Sequence, residues 1–227
     1  MRLSPDKIYH GPGGRTAQAP LEVLEAAWAR LELDRCGRHI QRQWEAAEIP
    51  TALQAASFDS LDARYSPGAH TACRAYAEAG EHEGRRGLLL VGPAGTGKSS
   101  LAVAVMRATL ERIRGQRGVH LWQPAEGLAQ IRRGYRSEDE SPPDVMDLAC
   151  NYLLVVDDLG KEKLTEWAAE QIYRLFDFLW HEQRKVIVTT NLTPQQMKSD
   201  LDQALVSRIM GCCALVPVVG QDRRLER

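Results

Sequence analysis

The sequence lacks a net basic charge. Its 29 Lys and Arg stand against 30 Asp and Glu, for a formal net charge of −1, so any surface for nucleic acid has to be local. It also lacks an uninterrupted apolar run of about 18 residues, which excludes a membrane-spanning helix. There is no CxxC pair among the five cysteines, Cys36, Cys73, Cys150, Cys212 and Cys213. Cys36 and His39 are spaced like metal ligands, but no second pair completes a zinc site, and Cys36 reads as a packed thiol. No signal peptide is recognisable. Together with the odd cysteine count, this implies reduced thiols and a cytoplasmic location. No internal repeat is visible.

What is present is the length and alternation of a single α/β domain with a short extension: 227 residues can bury a sizeable core. Residues 1–20 are rich in Gly, Pro and polar residues. From Leu21 the positions Leu24, Trp28, Leu31, Arg35/Cys36, Ile40, Trp44 and Ala47 recur three to four apart, one face of a long helix over 21–47. Ile49-Pro50 ends it, since the residue before proline disfavours helix. A boundary is placed there, with residues 1–50 a flexible N-terminus and helix for partner or oligomer contact, and 51–227 the main domain. A connector (51–68) and a short helix (69–82) follow. Strands are then expected at 87–91, 119–123, 152–156, 185–190 and 214–219. Helices are expected at 99–114, 125–136, 143–150 and 166–182, with two short ones within 194–210. Strands spaced by helices predict a five-stranded parallel sheet in a three-layer α/β fold.

The stretch LLLVGPAGTGKSS carries the strongest signal. Gly92, Pro93, Ala94, Gly95, Thr96, Gly97, Lys98 and Ser99 match G-x-x-x-x-G-K-[ST] at every fixed position, between a strand and a helix. Such glycines let the backbone turn its N–H groups onto phosphate oxygens, and the following helix adds its positive end. Lys98 supplies a charge for the β- and γ-phosphates of ATP, Ser99 a hydroxyl for Mg²⁺, and Ser100 extends the cradle. The apolar run Tyr152–Val156 ends in Asp157 and Asp158. Asp157 is placed to hold Mg²⁺ through water, and Asp158 to orient and deprotonate the attacking water. The run Val186-Ile-Val-Thr-Thr ends in Asn191, a polar amide for the same water or the γ-phosphate. Arg208, on a short helix before the last strand, admits two readings: a finger that reaches a neighbouring subunit's γ-phosphate, or a solvated helix arginine.

The order phosphate loop, DD-L-G, T-T-N, S-R-I and G-x-D-R-R resembles the AAA+ ATPases of the DnaC/DnaI helicase-loader and IstB transposition-helper group. Ile49-Pro50 with Ala56-Ser57-Phe58, and Thr165-Glu-Trp167, add to the likeness, which covers roughly residues 45–225. The resemblance implies a P-loop AAA+ core, ATP with Mg²⁺, and a homo-oligomer built through ATP-bridged interfaces. It implies Asn191 as sensor 1, Arg208 as the finger and Arg224 (or Arg223) as the arginine of sensor 2. It further implies single-stranded DNA as a partner, with a replicative helicase for a loader or a transposase for a transposition helper. Two departures stand out: Asp158 replaces the glutamate usual in AAA+ enzymes, which implies slow hydrolysis, and no separate helical lid follows Arg224. A P-loop small-molecule kinase is the alternative from another class.

Arg132, Arg133, Tyr135 and Arg136 interleave cations with an aromatic ring, which suits a single-stranded backbone with a stacked base. Arg112, Arg114 and Arg117 form a second basic group ahead of the second strand and a lesser candidate for DNA; for both groups a solvated helix face is the alternative. The tryptophans of the 21–47 helix fit either packing on the core or anchoring a partner.

Overall fold

A computed structural model describes residues 21–134, 144–160, 165–220 and 222. The chain divides into two compact units, Met1–Arg38 and His39–Arg227. Within the first, the described residues form the start of helix α1 (Leu21–Glu45), on which Val23, Trp28, Leu31 and Leu33 are exposed. The final turns of α1 belong to the second unit. There Ile40, Trp44, Ala47 and Ile49 join its core, and Arg107 stacks 4.2 Å from the Trp44 ring.

The second unit is a five-stranded sheet in the order β2-β3-β4-β1-β5, parallel throughout. The strands are β1 (Gly87–Val91), β2 (Val119–Trp122), β3 (Leu153–Val156), β4 (Lys185–Thr190) and β5 (Cys213–Pro217). The near-unbroken apolar runs of β1, β3 and β4 follow from burial on both faces. Leu88, Leu90, Leu153, Val155 and Ile187 face one core, shared with the end of α1, with α2 (Pro67–Ala79) and with α3 (Lys98–Arg112). Leu89, Val91, Leu154, Val156, Val186 and Val188 face the other core. It is covered by α4 (Pro124–Gly134), α5 (Glu166–His181), α6 (Pro194–Asp200) and α7 (Gln203–Cys212).

Element by element, this is the expected three-layer α/β fold, with shifts that have local causes. Helix α2 begins earlier, at Pro67, because proline suits the first helical turn. The stretch expected as a helix over 143–150 is a 3-10 helix, Val145–Cys150. Asp144 accepts a hydrogen bond from the Met146 amide, and the Asp147 side chain accepts one from the Asp144 amide. That box sets the start, and Asn151 leads straight into β3, leaving room for six residues only. Among the described residues, no helix is long and apolar enough to cross a membrane.

Candidate nucleotide-binding site

The carboxyl ends of β1, β3 and β4 converge, the usual position for ligands in an open parallel sheet. After β1 the chain turns through Gly92–Gly97 into α3. Gly97, the residue before the helix, lies at φ 93°, and Gly95 at φ 76°, a region that side chains disfavour. Gly95 has a second constraint, because a Cβ there would overlap the Asp222 carboxylate. Thr96 is buried and its hydroxyl donates to the Pro93 carbonyl at 2.9 Å.

Lys98 is 6% exposed. Its ammonium donates to the Gly92 carbonyl at 2.8 Å, the Pro93 carbonyl at 2.7 Å and Asn191 Oδ1 at 2.7 Å. Desolvating an ammonium is expensive unless its donors are satisfied, and these three oxygens do so. Asn191, at the end of β4, turns its amide nitrogen toward Asp158 Oδ1 at 3.2 Å. Lys98, Asn191 and Asp158 therefore form one hydrogen-bonded chain across the sheet edge. Ser99 and Ser100 lie half-buried on the first turn of α3.

Asp157 is 3% exposed. One carboxylate oxygen accepts from the Thr189 hydroxyl at 2.7 Å, the other from Gln123 Nε2 at 3.3 Å. The same Thr189 oxygen accepts the Asp158 amide at 2.9 Å. Asp158 sits at φ 64°, uncommon for a residue with a side chain and costing roughly 1–3 kcal/mol. That Thr189 bond and the next one, from the Leu159 amide to the Thr189 carbonyl at 2.9 Å, hold the turn. Thr190 then donates its hydroxyl to the Leu159 carbonyl at 2.7 Å.

These residues fit a magnesium nucleotide. Gly95 and Gly97 curl the backbone as an anion cradle requires, and Lys98 places a cation at its floor. Among the described residues no trio of His, Cys, Asp and Glu side chains converges on a point. A divalent ion would therefore take Ser99 and Asp157 from the protein and fill its shell from phosphates and water, as Mg²⁺ does at such sites.

Other expected site residues fall elsewhere. Arg208 is neither aimed at the phosphate loop of its own chain nor loose in solvent. Its Nε donates to Asp177 at 2.7 Å and its guanidinium lies 4.5 Å from the Trp180 ring, so α7 is tied to α5 with the Arg208 side chain 28% exposed. Burial opposes its charge, but the hydrogen bonds it donates to Tyr173 and Asp177 outweigh that and raise its pKa. Arg132 and Arg133 lie exposed on the last turn of α4. Tyr135, Arg136, Arg223 and Arg224 lie outside the described residues. Thr189, Gln123 and Asp222 contribute to the site without having been assigned a part. The T-T pair before Asn191 was the available signal for Thr189, since β4 lies beside β3 and brings it under the Asp pair.

A model of the family described as IstB-like ATP binding protein matches residues 14–227. No curated protein matches the sequence. Among solved structures, the DnaC helicase loader superposes with a TM-score of 0.63 at 23% identity, over 74% of this chain and 99% of that one. DnaI superposes with a TM-score of 0.64 at 17% identity, over 80% of this chain and all of that one (100%). The replication initiator DnaA bound to AMPPCP and single-stranded DNA gives 0.56 at 19% identity, over 72% of this chain and 49% of that one. At these identities the likeness concerns the fold, which is the P-loop AAA+ fold.

Proposed function

The chain belongs to the IstB-like ATP-binding protein family, and from that premise we propose a magnesium-dependent ATPase that acts on DNA through a protein partner. The observation that carries this reading is the hydrogen-bonded chain Lys98–Asn191–Asp158 beside the buried Asp157. Bound ATP would supply a γ-phosphoryl group whose charge Mg²⁺ and Lys98 share. Lys98 gives up its Asn191 contact to meet the phosphates. Asn191 then holds the attacking water, and Asp158 takes its proton. Asp157 and Ser99 would hold the ion. Asp158 reaches less far than a glutamate would, which supports slow turnover.

Arg208 serves as the finger for a neighbouring subunit in an ATP-bridged homo-oligomer, with Arg224 on the bound nucleotide's own chain. Arg132 and Arg133, together with Tyr135 and Arg136, meet single-stranded DNA. The protein works in the cytoplasm. Two partner readings share this chemistry. A helicase loader is supported by the superposition on nearly the whole DnaC and DnaI chains, the first of which is named as one. A transposition helper is supported by the family whose model spans the chain.

The deciding experiment uses Asp158→Asn, expected to hold ATP without hydrolysing it, as a trap in extracts of the native host. Recovery of a replicative helicase identifies a loader, and recovery of a transposase a helper. Purified parent protein should release ADP faster with single-stranded DNA. A phosphorylated small-molecule product instead would overturn the reading in favour of a kinase.

A further inference from the structure

The amino edge of the sheet, at the far end of the strands from the phosphate loop, holds a cluster that the ATPase reading does not use. Lys185 begins β4 and Asn191 follows its end, so the two edges are roughly 20 Å apart at about 3.3 Å per residue. At this edge Tyr152 precedes β3, with β2 and β4 on either side. Lys185 Nζ and the Arg117 guanidinium each lie 5.3 Å from the Tyr152 ring centre, and the Arg112 guanidinium lies 5.9 Å from it. Arg112 also donates to the Tyr152 hydroxyl at 3.2 Å.

Part of this charge has a structural role. Arg112 Nε donates to the Ala77 carbonyl at 2.8 Å and Lys185 to the Gly80 carbonyl at 3.0 Å, so both cap the negative end of α2. That leaves most of their donors unused. Arg117 makes no hydrogen bond to a described residue, and none of the three cations has a carboxylate within 4.0 Å among the described residues. One phenol ring therefore gathers three positive charges with no carboxylate of a described residue in ion-pair contact, Glu81 acting on Lys185 only from farther off. The crowding shows in the ionisation of the group: Lys185 is lowered by burial and, against the help of Tyr152 and Glu81, by Arg86 and Arg112. Burial would raise the Tyr152 hydroxyl, yet Arg112, Lys185 and Arg117 together bring it below its ordinary value.

We propose that Arg112, Arg117 and Lys185, gathered on Tyr152, form a phosphate-binding site that takes the phosphodiester backbone of a nucleic acid. The arginine forks match phosphate oxygens, and an anion relieves the repulsion among the cations. A polymer fits better than a free phosphate because the site is an open edge. Arg112 and Arg117 are exposed, and Arg86 ahead of β1, exposed too, is close enough to act on Lys185. Among the described residues, Arg86 pairs with Glu81 at 3.9 Å. Binding to this surface needs no nucleotide.

The test is a salt titration of labelled oligothymidylate binding, followed by fluorescence anisotropy without ATP. Each phosphate contact on a single strand contributes about 0.7 to the slope of log K against log salt. Arg117→Gln should lower the slope by about 0.7 and weaken binding about fivefold at 0.1 M salt. It should keep the parent melting temperature, because Arg117 makes no hydrogen bond to a described residue. Lys185→Gln should lower the slope equally, whatever it does to stability. The proposal is overturned if the slope and affinity of Arg117→Gln equal those of the parent, or if the parent binds no oligothymidylate. It is also overturned if the variant loses only a calorimetric signal for inorganic phosphate while oligothymidylate binding stays intact.

Discussion

Thr189→Val is the sharpest test of how the carboxylate end of the site is built. Thr189 is 1% exposed, and its single hydroxyl both donates to Asp157 and accepts the Asp158 amide. Valine keeps the shape and removes both bonds. The bond to a carboxylate is worth about 1.5–3 kcal/mol, and an amide left without an acceptor costs about 1–3 kcal/mol. The two losses share one atom and are not additive, so a net loss of about 2–4 kcal/mol is expected. At roughly 2–4 °C per kcal/mol for a domain of this size, the melting temperature should fall by about 4–16 °C. Urea denaturation followed by circular dichroism gives the free energy directly. Thr189→Ser restores the hydroxyl and loses only a methyl group, so it should recover most of the loss. ATP turnover in Thr189→Val should fall even where the protein is folded, because Asp158 at φ 64° loses the bond that holds its turn. A Thr189→Val protein within 0.5 kcal/mol of the parent, or no better behaved as serine, would refute the bridging role.

Lys98→Ala should lose nearly all nucleotide affinity, measured with a fluorescent ATP analogue, since it removes the cradle's cation. Asp158→Asn should bind ATP like the parent and release no phosphate, because the amide keeps the shape and cannot accept the proton. Arg208→Ala should bind ATP and hydrolyse it poorly, and an excess of Lys98→Ala subunits, whose Arg208 is intact, should restore part of the turnover. Full activity of Arg208→Ala in a strictly monomeric sample would leave Arg208 only its tie to Asp177 and Trp180. Burial pushes the Cys73 and Cys212 thiols up to about 12 and Cys213 well above its ordinary value. Cys150 is exposed. A thiol reagent at pH 8 should therefore modify Cys150 at once and those three only on unfolding.

The sequence made the alternation of strands and helices readable because its strands are buried on both faces and so appear as apolar runs. Leu88 to Val91 and Leu153 to Val156 could hardly be anything else. The phosphate loop was readable because its glycines and Lys98 are adjacent in the chain. Less accessible was whatever depends on strand order. That Asn191 would bridge Lys98 and Asp158 follows from β4 lying between β1 and β3, which no local pattern states. The double use of the Thr189 hydroxyl has the same origin. Arg208 illustrates the opposite case: its helix was expected, but its partners Asp177 and Trp180 lie on α5, about thirty residues earlier, and nothing local marks a stacked arginine.

The sheet order also bears on when, during synthesis, the protein first becomes able to take up ATP. The strand that carries the phosphate loop pairs only with late-made neighbours: Gly87 lies against Val186 of β4 on one side and Cys213 of β5 on the other. Until those segments emerge, β1 has no hydrogen-bonding partner and the loop behind it has no frame. Pairings this distant in sequence close slowly. A ribosome-bound chain arrested before β4 should therefore hold the complete G-x-x-x-x-G-K-S motif yet retain no nucleotide on a matrix. Competence should arrive abruptly once β5 has cleared the exit tunnel, so that a truncated product cannot sequester ATP or poison an assembly.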